Sequence, residues 1–391
     1  MYEEHREGQV KFLRPPLQKV PSTSMPVFYN PKSELNRDIT IGGIQVFLKR
    51  HEITKARVCT PLAGTGVRAT RIAKEVQGVQ YIVAGDINPL ASELVKRNAE
   101  LNGVASLIEV HRKDANHLLS RHNRASLKFD VIDIDPFGSP RPYLTAAVGA
   151  LKPLALLCLT ATDMPVLVGI RRQTCIKRYG AEPARTEYGH ELALRLLMGC
   201  AIREAAAQDI GLQPLLTFYI DHYIRILCEA QKGDKPAWNS ISQLGYLSHC
   251  DNCGHRELTL GLVPEKLICP SCSATEISRA GPLWTGCLAE KVFVNETMQQ
   301  VTRQSFGSER RLTRLLKRLL EELDGPPTYY DLHKLSDKLN IPVPSFTPVI
   351  KELREKGFFC SRTHFSPHSI RTSASATVLC QVLQKISRGD K

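Results

Sequence analysis

Asp133-Ile134-Asp135-Pro136-Phe137-Gly138-Ser139-Pro140 is the stretch on which the fold turns. Just before it stands Phe129-Asp130-Val131-Ile132, a short apolar run that reads as a buried strand. Pro136 fixes its own φ and has no N–H to extend a ladder. Gly138 allows a turn or the close approach of a ligand. Asp135, the carbonyls beside it and the Phe137 ring are thereby placed at the carboxyl end of a strand, where open α/β sheets bind ligands. A carboxylate next to a flat apolar ring suits a nucleobase amine, which needs an acceptor at its edge and a surface on its face. Asp133 falls on the same side of the strand end as Asp135 and is read as a structural carboxylate capping a nearby turn.

Outward from this stretch, short apolar runs alternate with amphipathic segments. The runs are 57–62, 80–84, 107–111, 129–134, 155–160, 215–220 and 223–228; helical spacing appears at 67–76, 89–101, 142–151 and 187–207. Such alternation predicts a largely parallel, doubly wound α/β sheet. The last two strands are separated only by Asp221-His222, so one of them runs antiparallel to the rest. The first strand leads into Pro61-Leu62-Ala63-Gly64-Thr65-Gly66-Val67-Arg68, a glycine turn that lets a ligand approach the backbone at a helix N-terminus. The second ends in Gly85-Asp86, where a carboxylate can bond a ribose hydroxyl. The third ends in Lys113-Asp114-Ala115, placed to meet an adenine amine. This spacing alone fits a dinucleotide or S-adenosyl-L-methionine. The turn lacks the third glycine of the dinucleotide fingerprint, and Asp-Pro-Phe-Gly serves an amine nucleophile, so a Rossmann-like class I S-adenosylmethionine-dependent methyltransferase domain is expected over 1–232.

The chain has 391 residues and a net charge of +13, which points to a polyanionic partner. From residue 301 onward 16 Lys and Arg face 9 Asp and Glu. No apolar run is long enough to span a bilayer, and Met1-Tyr2-Glu3-Glu4-His5-Arg6 lacks the apolar core of a secretory signal, so a cytoplasmic protein is expected. Of twelve cysteines, four form Cys250-x2-Cys253 and Cys269-x2-Cys272 with 15 residues between the pairs. That is the spacing of a four-thiolate zinc ribbon with a closed, structural metal shell. His249 and His255 would be surplus ligands; Cys158, Cys175, Cys200 and Cys228 read as core. Gln231-Lys232-Gly233-Asp234-Lys235-Pro236 breaks the pattern and marks a boundary. Beyond it, 233–391 reads as a region for binding a polyanion, with the zinc ribbon at about 246–282 and a basic winged-helix-like domain at about 300–391. Its helix 309–323 carries Arg310, Arg311, Arg314, Lys317 and Arg318 on one side. The proline-rich first 40 residues hold Val27-Phe28-Tyr29-Asn30-Pro31 and Asn36-Arg37-Asp38, which suggest packing against the rest of the molecule.

Taken together, Phe28-Tyr29-Asn30-Pro31, Asn36-Arg37-Asp38, the Ala63 to Arg68 turn, Asp135-Pro136-Phe137-Gly138-Ser139-Pro140, the four cysteines and Ser361-Arg362-Thr363-His364 resemble the tRNA (guanine-26-N2) dimethyltransferases of archaea and eukaryotes. The likeness covers nearly the whole chain. It departs at Cys59-Thr60-Pro61, where such methyltransferases usually carry an acidic residue. The resemblance implies S-adenosyl-L-methionine held by Arg37, Arg68, Asp86, Asp114 and Ala115. It also implies transfer of one or two methyl groups to guanine N2 of a flipped base. In that role Asp135 and the Pro136 carbonyl accept hydrogen bonds from the amine, Phe137 stacks on the base, and Phe28 covers its other face. Two other readings stand beside it: a nucleic-acid adenine-N6 methyltransferase, since an Asp-Pro-aromatic turn also suits that amine, and a non-catalytic zinc-ribbon RNA-binding protein.

Overall fold

A computed structural model describes residues 2–17, 25–261, 268–304 and 306–389. The chain opens with an antiparallel hairpin, β1 (Glu3–Glu7) and β2 (Val10–Arg14). A long helix, α1 (Glu34–Arg50), leads into β3 (Ala56–Thr60), α2 (Val67–Glu75), β4 (Val79–Asp86), α3 (Pro89–Leu101), β5 (Ile108–Arg112), α4 (Ala115–Arg121) and β6 (Phe129–Ile134). Next come α5 (Leu144–Gly149), β7 (Leu151–Ala161), α6 (Met164–Leu167), α7 (Arg172–Tyr179), α8 (Gly189–Ala206), β8 (Ile210–Ile220) and β9 (Tyr223–Lys232).

Seven of these strands form one sheet in the order β5-β4-β3-β6-β7-β9-β8. β3 pairs in parallel with both β4 and β6, and only β9 runs against its neighbours, as the short Asp221-His222 connection requires. Every residue of β6 is buried, which is why it reads as an unbroken apolar run with two carboxylates hidden in it. The strand order reverses between β3 and β6. The crevice beyond their carboxyl ends is therefore the topological switch point of the sheet. Into it project the glycine turn after β3 and Asp135 after β6.

Two local expectations are corrected. The helix expected at 142–151 is a 3-10 turn (Arg141–Tyr143) followed by the short α5, and β7 takes over at Leu151. The first residues, for which no strand was expected, form a hairpin, with Val10 and Phe12 fully buried on one face while Lys11 is exposed. Residues 25–30 do pack against the domain as expected: Val27 and Tyr29 are buried, and Asn88 Nδ2 donates to the Pro26 carbonyl at 2.6 Å.

After α9 (Asp234–Ile241), strands β10 (Leu244–His249), β11 (Arg256–Leu260) and β12 (Ser278–Trp284) form a small antiparallel sheet that bears the cysteine pairs. Part of the spacer between the pairs, 262–267, lies outside the described residues. Two helices follow, α10 (Lys291–Gln304) and α11 (Glu309–Glu322). Their apolar sides, including Phe293, Val301, Leu312 and Leu316, join the core of the large sheet on the α1 side. Gly42 of α1 makes this approach possible, since a Cβ there would lie 2.5 Å from Val301 of α10, while a Cβ on Gly43 would lie 2.5 Å from Leu227 of β9. The last body has its own apolar core. It comprises β13 (Tyr330–Asp331), α12 (Leu332–Leu339), α13 (Phe346–Glu355), β14 (Cys360–Arg362), β15 (Ser369–Thr372) and α14 (Ala376–Gly389). Among the described residues no helix is long and apolar enough to cross a membrane.

Candidate active site at the sheet switch point

A cavity of about 360 Å³ occupies the switch-point crevice. Its walls are the glycine turn, the Asp135-Pro136-Phe137 corner, the 28–33 segment, Arg37 and the β8–β9 reversal at His222 and Tyr223. Gly64 (φ +55°) and Gly66 (φ +77°) take left-handed conformations that bend the chain from β3 into α2. The turn is closed by Asp86, whose carboxylate accepts from Gly64 N at 2.9 Å and from Asn88 N at 2.9 Å. Burial pushes the Asp86 carboxyl up, and these backbone donors oppose that shift.

Under the cavity floor lies a network of opposite charges. Arg225 enters from β9, fully buried, and grips Asp133 with two bonds of 2.9 and 2.8 Å. The second proton of each terminal nitrogen goes to Thr160 Oγ1 at 2.8 Å or Thr40 Oγ1 at 2.9 Å, while Nε has no partner among the described residues. Arg68 meets Asp133 at 3.0 Å through Nη1 and pairs with Asp135 through Nη2. Asp133 thus serves two buried arginines and, among the described residues, caps no turn, which corrects the sequence reading. Asp135 is the member of this network that reaches the cavity, with 27% of its side chain exposed. Burial alone would raise its carboxyl, but Arg68 and then Arg225 hold it below the usual carboxylate range.

The Asp135-Pro136-Phe137-Gly138 corner is tied down from behind. Gly138 and Thr162 exchange bonds of 2.8 Å, and Ser139 Oγ meets the Tyr179 hydroxyl at 2.6 Å. Gly138 sits at φ +103°, which favours glycine even though a Cβ there would meet open space. Phe137 is left 57% exposed and Phe28 38% exposed at the cavity mouth. The two rings touch edge to face, 5.7 Å between centroids at 71°. A base held between them needs about 7 Å, two contacts of about 3.5 Å each. In this conformation the rings therefore lie against each other, and the sequence expectation of a ring on each face of a base requires them to part.

The residues that the resemblance implied for the cofactor fall in two groups. Arg37 and Arg68 line the cavity. Arg37 is held by Glu7 and Arg68 by Asp133 and Asp135, so each guanidinium is already partnered by this chain's own carboxylates. Asp86, Asp114 and Ala115 stand at the adjoining ends of β4 and β5. Asp114 caps α4 by accepting from His117 N at 3.0 Å, and Ala115 is buried. Sequence reading missed Tyr143, whose hydroxyl burial pushes up, with Asp114 and Asp86 adding to the shift. It also missed Arg225, although a charged residue inside Tyr223-Ile224-Arg225-Ile226-Leu227 is itself a signal that a buried carboxylate must face it.

The four expected cysteines converge. Their sulfurs lie within 4.8 Å of one another, with Cys250 and Cys272 at 3.6 Å and Cys253 and Cys269 at 3.5 Å. Each pair folds the same way: Gly254 N bonds Cys250 O and Ser273 N bonds Cys269 O, both at 2.8 Å. His249 stands apart, with Nδ1 against the Tyr188 hydroxyl at 2.9 Å, and His255 Nδ1 meets Ser271. Cys158, Cys175, Cys200 and Cys228 are buried, as expected of core residues.

A seven-stranded sheet with one reversed strand, a glycine turn at the switch point and carboxylates at three successive strand ends define an α/β methyltransferase of the Rossmann-like class. The family model for N2,N2-dimethylguanosine tRNA methyltransferase matches residues 8–384, and the chain belongs to that family. It is 38% identical to the tRNA (guanine(26)-N(2))-dimethyltransferase of Methanosphaera stadtmanae, covering 97% of this chain and 96% of that one. It is 39% identical to the enzyme of the same name from Methanothermobacter thermautotrophicus, over 96% and 97% of the two chains. Among solved structures, Trm1 from Pyrococcus horikoshii in complex with S-adenosyl-L-methionine is similar with a TM-score of 0.85 and 33% identity, over 97% of this chain and 99% of that one.

Proposed function

We propose that this chain transfers one or two methyl groups from S-adenosyl-L-methionine to the exocyclic N2 of guanine 26 in tRNA. The observation that carries the reading is Asp135, an anionic side chain at the switch point that opens into a cavity beside a glycine turn and two exposed phenylalanines.

The residues present fit the cofactor. Thr60 Oγ1 is buried and unpartnered in the cavity wall, which asks for a polar ligand. Arg37 would take the methionine carboxylate, Asp86 the ribose hydroxyls, and Asp114 with the Ala115 amide the adenine edge; Arg68 would stand between cofactor and base. When bound, S-adenosyl-L-methionine supplies an electrophilic methyl on a sulfonium. The rest falls to the chain. Guanine N2 is a poor nucleophile because its lone pair is delocalised into the ring. Asp135 and the Pro136 carbonyl accept its two hydrogens, turn the lone pair towards the methyl and stabilise positive charge as it develops on nitrogen. Held low by Arg68, Asp135 is a weak base. It acts by orientation and charge, and the proton leaves once the amine has become a cation.

A base reached this way has left its helix, at a cost of a few kcal/mol. Parting Phe28 from Phe137 costs about 0.5–1.5 kcal/mol. Stacking on an aromatic ring returns about 1–3 kcal/mol, so the closed rings are a gate the base can open. Phosphate contacts by Arg310, Arg311, Arg314, Lys317 and Arg318 on α11 would supply the remainder. On this reading 1–232 is the methyltransferase domain and 233–391 the tRNA-binding part, with a zinc ribbon followed by a winged-helix-like body. Sulfur separations of 3.5–3.6 Å suit a zinc tetrahedron, whose edge is about 3.8 Å for Zn–S bonds of about 2.3 Å. The four thiolates leave no position for water, so this metal would be structural.

The test incubates unmodified tRNA transcripts with labelled S-adenosyl-L-methionine and maps the product. Label on N2 of guanine 26 is expected. Label on adenine N6, or none with folded, zinc-loaded protein, would overturn the reading.

A further inference from the structure

The tip of the N-terminal hairpin carries a carboxylate that the mechanism above does not use. Glu7 is 1% exposed. Its two oxygens accept from Arg37 Nε at 2.6 Å and Nη2 at 2.7 Å. Arg71 Nη1 adds a third bond at 2.9 Å and the Tyr29 hydroxyl a fourth at 3.2 Å. Arg71 has other partners, Asp38 at 2.6 Å and Glu75 at 2.9 Å, so its charge does not depend on Glu7. Arg37 has no second carboxylate among the described residues. Gly8 lets the tip seat here: it sits at φ +55°, and a Cβ would lie 2.4 Å from Glu75 Oε1 and 2.7 Å from Arg71 Nη2.

Burying a carboxylate is costly unless its partners are well placed, and a hairpin that merely covered the core could put an apolar side chain at this position. What Glu7 does instead is choose an edge of Arg37. It binds the guanidinium side-on through Nε and Nη2, and Nη2 also donates to the Asn30 carbonyl at 3.2 Å. Nη1 is left without a partner among the described residues, on a side chain that lines the cavity. Tyr29, the second group Glu7 holds, also lines the cavity and directly follows Phe28 in the chain.

We infer that Glu7 is a positioning residue for the methyl donor: it fixes Arg37 so that Nη1 faces the donor's carboxylate. The hairpin is then part of the cofactor site although no residue of β1 or β2 lines the cavity. The inference rests on the reading that Arg37 binds S-adenosyl-L-methionine.

The experiment is calorimetric titration of S-adenosyl-L-methionine, without RNA, into the full chain and its Glu7→Gln, Arg37→Gln and Glu7→Gln/Arg37→Gln variants. Glu7→Gln is expected to weaken binding about tenfold, an interaction energy typical of a charged hydrogen bond. Arg37→Gln weakens it at least as much, and the double variant binds no worse than Arg37→Gln alone, because Glu7 acts only through that arginine. tRNA affinity, measured separately, stays within about twofold of wild type. Normal donor binding by Glu7→Gln, or additive losses in the double variant, would overturn the inference while leaving Arg37 its role. Normal binding by Arg37→Gln would overturn the cofactor reading and the inference with it. Should Glu7→Gln not fold, Glu7→Asp carries the same test. It keeps the charge but is one methylene too short for the two-bond grip, so weaker donor binding supports the inference and wild-type binding defeats it.

Discussion

Two buried charge networks in this molecule share their chemistry and differ in where they end. One lies under the cavity and runs from Arg225 through Asp133 and Arg68 to Asp135. The other lies where α8 meets the C-terminal body. There Arg371 of β15 pairs with Glu191 of α8 at 2.8 Å and with Glu322 of α11 at 3.0 Å. Arg195 braces Glu191 at 2.9 Å, and the His364 ring pairs with Glu322. Every side chain of this second network is at most 4% exposed, whereas the first ends in a carboxylate with 27% of its surface open to the cavity. Burial of charge therefore does not mark a functional site by itself. A closed network holds bodies together; one with an outlet holds a reactive group in place.

The largest expected effect is on the closed network. Arg371→Met strands Glu191 and Glu322 without their shared cation and should cost about 3–5 kcal/mol of stability. A lowered urea midpoint would show it, with turnover of the folded fraction near wild type. A variant that kept its stability and lost turnover would erase the distinction between the networks. Next comes the open network. Arg68→Met removes the cation that holds Asp135 and should lower the methyl-transfer rate about 10²–10³-fold. If Arg68 serves the donor instead, the KM for S-adenosyl-L-methionine rises and kcat survives. Phe137→Ala then removes one stacking face; with about 1–3 kcal/mol per stacked base, a rise of about tenfold or more in the KM for tRNA is expected, and an unchanged KM would deny the ring its place.

The smallest effect appears in mild acid. Burial raises Glu7 and Glu322, but Arg37 and Arg71 pull the first down to about 2, and His364 and Arg371 pull the second down to about 2. Both lie below the ordinary 4.5, so the folded state binds fewer protons than the unfolded one. Their contribution is complete above about pH 4.5 and fades as pH falls towards 2. Urea unfolding from pH 5 to pH 3 should show stability falling with pH. Glu322→Gln should flatten that slope, and an equal slope in the variant would count against this assignment.

What the sequence made legible was local. β6 is an apolar run with a proline corner behind it, and the glycine turn and each Cys-x2-Cys pair span only a few residues. A largely parallel sheet, one reversed strand in the last pair and the sulfur cluster followed from such signals. What stayed hidden was long-range. Asp133 looks like a turn cap until Arg225 arrives from 92 residues further on. Glu7 looks like a polar terminus until Arg37 and Arg71 fold over it. α11 reads as a basic helix of a separate body, yet Leu312, Leu315, Leu316 and Leu319 enter the core that α1 shares with the large sheet. The hairpin was the exception, since Val10-Lys11-Phe12 alternates with period two and its signal was available.

The central claim is that the Asp135 carboxylate, opening into the cavity, grips the amine that is methylated. Asp135→Asn preserves shape and removes the charge. On one preparation, single-turnover methyl transfer to tRNA would be measured beside the affinities for S-adenosyl-L-methionine and for tRNA. The account predicts a rate lowered about 10²-fold or more with both affinities within a few-fold of wild type. A wild-type rate, or a loss fully explained by weaker donor binding, would contradict it.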